Sequence, residues 1–210
     1  MDRKILNNLE SLPFFSKHAI SAFETIRSRA LYQNLQRWVD TGHILRLKNG
    51  LYVTKTFVDR FLHDGSYVEL VANKLAVPSY LSLEYVLQKK GFLTEATFTI
   101  TSVTLKTTRH YRNPLGSFEY HHLDERLYFG FAGRRYGQNI IYEASPMKAL
   151  FDFFYLRCSD LDPQDLSTLE SMRINWSQLN RASLNELCGI ILKSGVKKMQ
   201  KIIPMLQHFT

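Results

Sequence analysis

The stretch Ser28-Arg29-Ala30-Leu31-Tyr32-Gln33-Asn34-Leu35-Gln36-Arg37-Trp38-Val39-Asp40-Thr41-Gly42 runs directly into His43-Ile44-Leu45-Arg46-Leu47-Lys48-Asn49-Gly50-Leu51-Tyr52-Val53. Its reading decides the fold. At 100° per residue, Leu31, Leu35 and Trp38 fall on one face with Val39 at its margin, the pattern of a core-facing seam. Arg29, Tyr32, Gln33 and Gln36 fall on the opposite side. Ser28 is a good N-cap and Gly42 a left-handed stop, so the spacing predicts a helix from Ser28 or Arg29 to about Thr41. Asn49-Gly50 between two β-prone runs predicts a hairpin over 44–53.

Toward the N-terminus, Ile5, Leu6, Leu9 and Leu12 recur at helical spacing until Pro13 ends the run. Ser16 would cap a second helix from Lys17 to about Phe23, with Ala19, Ile20 and Phe23 facing inward. Three helices followed by a two-stranded hairpin is the order of a winged helix-turn-helix, covering residues 1–62. His63-Asp64-Gly65-Ser66 reads as a linker. From there to residue 210 the pattern is α+β with a mostly antiparallel sheet. Helices are expected around Val68–Leu75 and Ser82–Gly91, the second capped by Ser82. Strands are expected at Thr97–Val103, Phe118–Leu123, Tyr128–Ala132 and Asn139–Tyr142. A helix opens at Ser145-Pro146, and from about residue 160 the tail is helical.

The chain has 210 residues, 45% hydrophobic and 22% charged, a composition able to bury a core and unlike that of a disordered chain. No apolar run is long enough to cross a membrane. Two cysteines, Cys158 and Cys188, make no disulfide framework, and with no secretory leader pattern a cytoplasmic setting is expected. The unusual quantity is charge. Lys and Arg number 27 against 19 acids, a net +8. Residues 1–62 hold ten cations and five acids, so most of the excess sits in the first unit. That balance favours a polyanionic partner.

The polar face of the Ser28–Asp40 helix suits a major groove. Arg29 can bridge guanine, Gln33 and Gln36 can bridge adenine, and Tyr32 can bond phosphate. Arg27 and Ser28 stand at the end of the helix that recognition helices direct toward bases. Lys17, opening the preceding helix, and Arg46 and Lys48, in the hairpin, are expected to anchor phosphates. Asn49 supplies the turn and stands at the tip. The expected partner is double-stranded operator DNA.

Signatures of catalysis are scarce. No Gly-rich phosphate loop, H-E-x-x-H or G-x-S-x-G is present. His121 and His122 alternate to opposite faces of a strand and cannot share a metal unaided. A nuclease-like centre, the alternative reading, would draw on Glu143 and Asp152, and these lack the usual acid-x-Lys pattern. Arg109 and Tyr111, and Arg134-Arg135, read as charged edge positions or secondary polyanion contacts. No catalytic residue, metal or cofactor is expected.

Three stretches together resemble the AbiEi-type antitoxin and transcriptional-regulator family of type IV, abortive-infection toxin–antitoxin modules. They are Gly42–Tyr52, Tyr80-Leu81-Ser82-Leu83-Glu84-Tyr85-Val86-Leu87-Gln88-Lys89-Lys90-Gly91-Phe92-Leu93, and Ile141-Tyr142-Glu143-Ala144-Ser145-Pro146-Met147-Lys148-Ala149-Leu150-Phe151-Asp152. The likeness spans roughly residues 1 to 160. It implies an N-terminal winged helix that represses the module's own promoter. It also implies a C-terminal unit that counteracts a nucleotidyltransferase-like toxin without a tight complex.

Overall fold

The computed structural model describes residues 3–16, 19–20, 28–157, 169 and 172–209. The chain opens with α1 (Arg3–Leu9) and the two-residue strand β1 (Phe15–Ser16), followed later by α2 (Ser28–Asp40). Of the helix expected over Lys17–Phe23, Ala19 and Ile20 are described and helical, and the Ala19 amide donates to the Ser16 hydroxyl at 3.3 Å, the bond an N-cap makes. Leu35 and Trp38 of α2 are buried and Val39 half-buried, as the seam requires.

The hairpin comprises β2 (Ile44–Lys48) and β3 (Leu51–Thr54), turning at Asn49-Gly50, where Gly50 takes a φ of +80° that a side chain would strain. Strand β1 pairs antiparallel with β3, giving a three-stranded sheet in the order β1-β3-β2. Both faces of this hairpin are buried. Ile44 and Tyr52 join Leu6, Leu9, Phe15, Ile20, Leu35 and Trp38 in a small N-terminal core. Leu47 and Val53 point the other way, into the large core of the rest of the chain.

The linker expected at 63–66 is instead a tight helical corner. Helix α3 (Lys55–Phe61) follows β3 directly, with the buried Thr54 hydroxyl accepting the Phe57 amide at 3.2 Å. Asp64 then caps α4 (Gly65–Leu75) by accepting the Ser66 amide at 2.9 Å. Phe57 and Val58 of α3 belong to the large core, and the Tyr67 hydroxyl of α4 donates to Pro13 O at 2.9 Å. Two helices each closed by a side-chain cap leave no slack between the units.

The second sheet has six strands: β4 (Ser79–Leu81), β5 (Thr99–Thr104), β6 (Arg109–Asn113), β7 (Gly116–His122), β8 (Phe131–Tyr136) and β9 (Asn139–Ala144). Their order is β6-β7-β5-β4-β9-β8. The sheet is mixed: β4–β5, β6–β7 and β8–β9 are antiparallel, whereas β5–β7 and β4–β9 are parallel. Strand β4 is so short that it meets β9 only at Leu81↔Glu143. Beyond it the Asn73 side chain takes over the ladder, accepting the Tyr142 amide at 2.6 Å and donating to its carbonyl at 3.4 Å. An amide side chain carries both donor and acceptor groups, as the backbone does, so it can stand in for a missing strand residue.

Helix α4 packs across β4, β5, β8 and β9. Helix α5 (Leu83–Lys89) lies on β5, α6 (Pro146–Arg157) on α5 and β9, and α7 (Arg181–Ser194) on α6; α8 (Lys197–Gln200) and α9 (Ile203–Leu206) follow. Ser82 precedes α5 but does not cap it, because its hydroxyl is committed elsewhere. Thr101 of β5 does so instead: its hydroxyl accepts the Tyr85 amide at 3.1 Å and donates to Ser82 O at 2.7 Å. Replacing Thr101 with Val keeps the shape and orphans both groups. We expect a loss of about 1–2 kcal/mol, read from the denaturant midpoint at unchanged slope; a loss under half of that would show that α5 needs no cap.

Candidate nucleic-acid interface

Helix α2 and strand β2 build one continuous polar surface. Gln33 and Gln36 are exposed on α2, clear of the neighbouring unit. The Gln36 amide nitrogen donates to Asp40 Oδ1 at 2.8 Å, and its oxygen accepts from Arg46 Nη2 at 3.0 Å. Arg46 reaches α2 because strand alternation puts positions 44, 46 and 52 on the side of the N-terminal core. Arg37 is exposed one turn beyond Gln33 and joins the same face. The helical wheel shows it 40° from Gln33, a signal the sequence reading passed over. Asn49 is exposed at the tip. Lys17 and Arg27 lie outside the described residues, as do the side chains of Ser28, Arg29 and Tyr32.

Lys48, expected at a phosphate, has other partners. Its ammonium donates to Leu75 O at 2.9 Å and Lys74 O at 3.3 Å, the last carbonyls of α4. Helix C-terminal carbonyls have no intrahelical partner and carry the negative end of the helix dipole. A flanking bond, Asn113 Nδ2 to Leu47 O at 3.1 Å, fastens the same hairpin edge to β6. Lys48 thus clasps the two units together.

The second and third motifs meet inside the protein. Asp152 is fully buried, and its Oδ2 accepts from the Tyr80 hydroxyl at 2.9 Å and the Ser82 hydroxyl at 2.8 Å. Its Oδ1 pairs with the equally buried Lys148 ammonium one helical turn away. Lys148 also lies over the Phe151 ring at 4.7 Å and the Phe129 ring at 5.2 Å. Burial pushes the Asp152 carboxyl up and the Lys148 ammonium down, while each holds the other toward its charged form. Gly130 permits this packing, since a Cβ there would stand 3.0 Å from Lys148 Cγ. With both charged side chains fully buried, the constellation ties α6 to β4.

Glu143 belongs to a different network. It pairs with Lys89 at 2.7 Å and Lys90 at 3.5 Å, and Lys89 also reaches the buried Glu69 at 2.6 Å. Glu69 further accepts from the Tyr85 hydroxyl at 2.8 Å and from Arg134. Glu143 and Asp152, the carboxylates of a nuclease-like centre, therefore do not share partners. Among the described residues no group of three or more His, Cys, Asp or Glu could hold a metal ion. His121 bonds Arg157 at 3.0 Å and His122 faces Lys106 O at 3.2 Å, on opposite sides of β7. Arg109 folds back on Thr107, Tyr111 packs edge-on against Tyr120, and Arg135 is exposed. Cys158 lies outside the described residues; the Cys188 thiol is half-buried, and burial raises its pKa.

Two measurements check these structural assignments. Replacing Asp152 with Ala leaves an unpaired buried ammonium, for which we expect a loss of about 3–5 kcal/mol. Pairing Asp152→Leu with Lys148→Met should recover most of it in denaturant melts, and failure to recover would show that charge is not the issue. Replacing Lys48 with Met removes a charged donor from two carbonyls and should cost about 1–2 kcal/mol; an unchanged midpoint would return Lys48 to the surface set.

No protein-family model matches the chain, and no curated protein matches it at a significant level, so the functional reading rests on its own residues.

Proposed function

We propose that this chain is a DNA-binding transcriptional repressor and the antitoxin of a type IV, abortive-infection module. In this reading it autoregulates its operon and opposes a nucleotidyltransferase-like toxin, acting in the cytoplasm without catalysis. The observation that carries the reading is the division of α2, which buries Leu35 and Trp38 and leaves Gln33, Gln36 and Arg37 in solvent beside Arg46. The first unit is a winged helix-turn-helix. Its support is the pairing of β1 with β3, the hairpin after α2, and the order of elements.

In this assignment Arg29, Gln33 and Gln36 face bases, and Lys17, Arg27, Arg37 and Arg46 anchor phosphates. Tyr32, Ser28 and Asn49 sit at the margins of the contact. Lys48 holds the hairpin in place for it. The antitoxin role rests on the likeness of the three motifs. Tyr80 and Ser82 of the second and Lys148 and Asp152 of the third share one buried network, so their common occurrence is expected of a unit with this fold.

A gel shift with the full chain and DNA from upstream of its own gene tests the reading. We expect specific retardation. Arg46→Met should flatten the dependence of log affinity on log salt by about one unit, and Lys48→Met should leave that slope unchanged. Gln33→Ala or Gln36→Ala should cost about 1–3 kcal/mol and relax preference at one operator position. Absence of a shift, or an unchanged slope in Arg37→Met/Arg46→Met, would overturn the DNA assignment. Rescue of growth on co-expression with a neighbouring toxin gene tests the antitoxin half separately.

A further inference from the structure

A cleft of about 680 Å³ opens between β8 and α7, away from α2 and the hairpin. Its volume lies within the roughly 300–1,000 Å³ range of small-molecule sites. Three cationic side chains line it, each from a different element: Lys90 just past α5, Arg134 on β8 and Lys193 on α7. Lys90 and Arg134 are held by the Glu143 and Glu69 carboxylates, which Lys89 also serves. Glu186, on α7 with Lys193, also lines the cleft and accepts the Ser145 hydroxyl at 2.8 Å. Four cations therefore stand against three carboxylates, and Lys193 is the cation with no ion pair among the described residues. Its ammonium lies over the Phe129 ring at 4.5 Å.

One residue in the cleft wall goes against the needs of its own helix. Gly189 sits in the interior of α7, where glycine costs stability relative to alanine. Outside the neighbouring backbone of its own helix, no atom lies within 4 Å of the place its Cβ would occupy, so packing does not demand a glycine. What the missing side chain leaves is room along the wall that α7 gives the cleft, one helical turn before Lys193.

We propose that this cleft binds a small phosphomonoester bearing a flat ring, with the size and chemistry of a nucleoside monophosphate. The phosphate takes the Lys193 ammonium with support from Lys90 and Arg134, through charge-assisted hydrogen bonds. The ring packs against the Phe129 face that the ammonium vacates, in the space Gly189 leaves open. Placement on the second unit makes this site independent of the DNA-reading surface and of whether that surface binds DNA.

Calorimetric titration of the full chain with AMP, with UMP and with inorganic phosphate tests the proposal. We expect saturable binding of a nucleoside monophosphate, with inorganic phosphate about tenfold weaker or more. Lys193→Gln should weaken binding about tenfold. Gly189→Leu should abolish it while melting at the same or a higher temperature than the parent chain. No saturable heat with either nucleotide into the millimolar range overturns the proposal. Equal affinity for inorganic phosphate overturns the flat-ring half. Binding that survives both Lys193→Gln and Gly189→Leu overturns the location. Should Gly189→Leu fail to fold, Lys193→Gln on the parent background decides the location by itself.

Discussion

The β2–β3 hairpin is apolar on both faces, and that constraint organises the molecule. A strand pair with one greasy face needs one partner layer; with two, it must be sandwiched. Ile44 and Tyr52 are covered by α1, β1 and α2, while Leu47 and Val53 are covered by the large core. The N-terminal unit therefore does not swing on a tether. Its helix α2 is docked on a sheet whose reverse side is the floor of the second unit, and the caps at Thr54 and Asp64 turn the chain without slack.

A second constraint is electrostatic. Taking Lys148 and Asp152 out of water is expensive, and a buried pair of this kind holds only when the remaining lone pairs are also satisfied. Tyr80, on the shortest strand of the sheet, and Ser82, just after it, supply those bonds. Strand β4 pairs along its whole length with β5 but at only one residue with β9, too little to fix its place on that side. The polar network and the Asn73 side chain set its register where the backbone ladder cannot. The same demand diverts the Ser82 hydroxyl from the helix it precedes, which is why Thr101 on a neighbouring strand caps α5.

Where periodicity was strong and local chemistry was the deciding force, the sequence was readable. The bounds of α2, the Asn-Gly hairpin, the Ser145-Pro146 helix start and β9 follow from patterns a few residues long. Four features were not legible, and each depends on tertiary partners. The helix Leu83–Lys89 looks capped by Ser82 until Asp152 is brought alongside. His63-Asp64-Gly65-Ser66 looks like a linker because a three-residue corner between capped helices uses the same residue types. β4 is too short for alternation to register. Lys48 reads as a phosphate anchor because nothing local reveals that the end of α4 lies beneath it. One clue was available: Ile44-Leu45 and Leu51-Tyr52-Val53 are nearly continuous apolar runs, the mark of a sheet buried on both sides.

The clasp at Lys48 shows how these constraints meet. On a free hairpin the ammonium would be a mobile cation near the tip. Here the hairpin edge is fastened by Lys48 to the C-terminal carbonyls of α4 and by Asn113 to Leu47 O. Arg46, two residues earlier and on the other face, is held against Gln36 of α2. The two cations of one strand thus serve opposite sides: one fixes the sheet to the second unit, the other stays with the exposed helix. The register of β2 against β3 shifts between Arg46 and Lys48, which lets side chains two residues apart serve opposite faces, and the packing of Leu47 and the bond to the α4 terminus hold the strand at that shift. The geometry of the polar face is thereby a property of the whole chain and not of its first 62 residues.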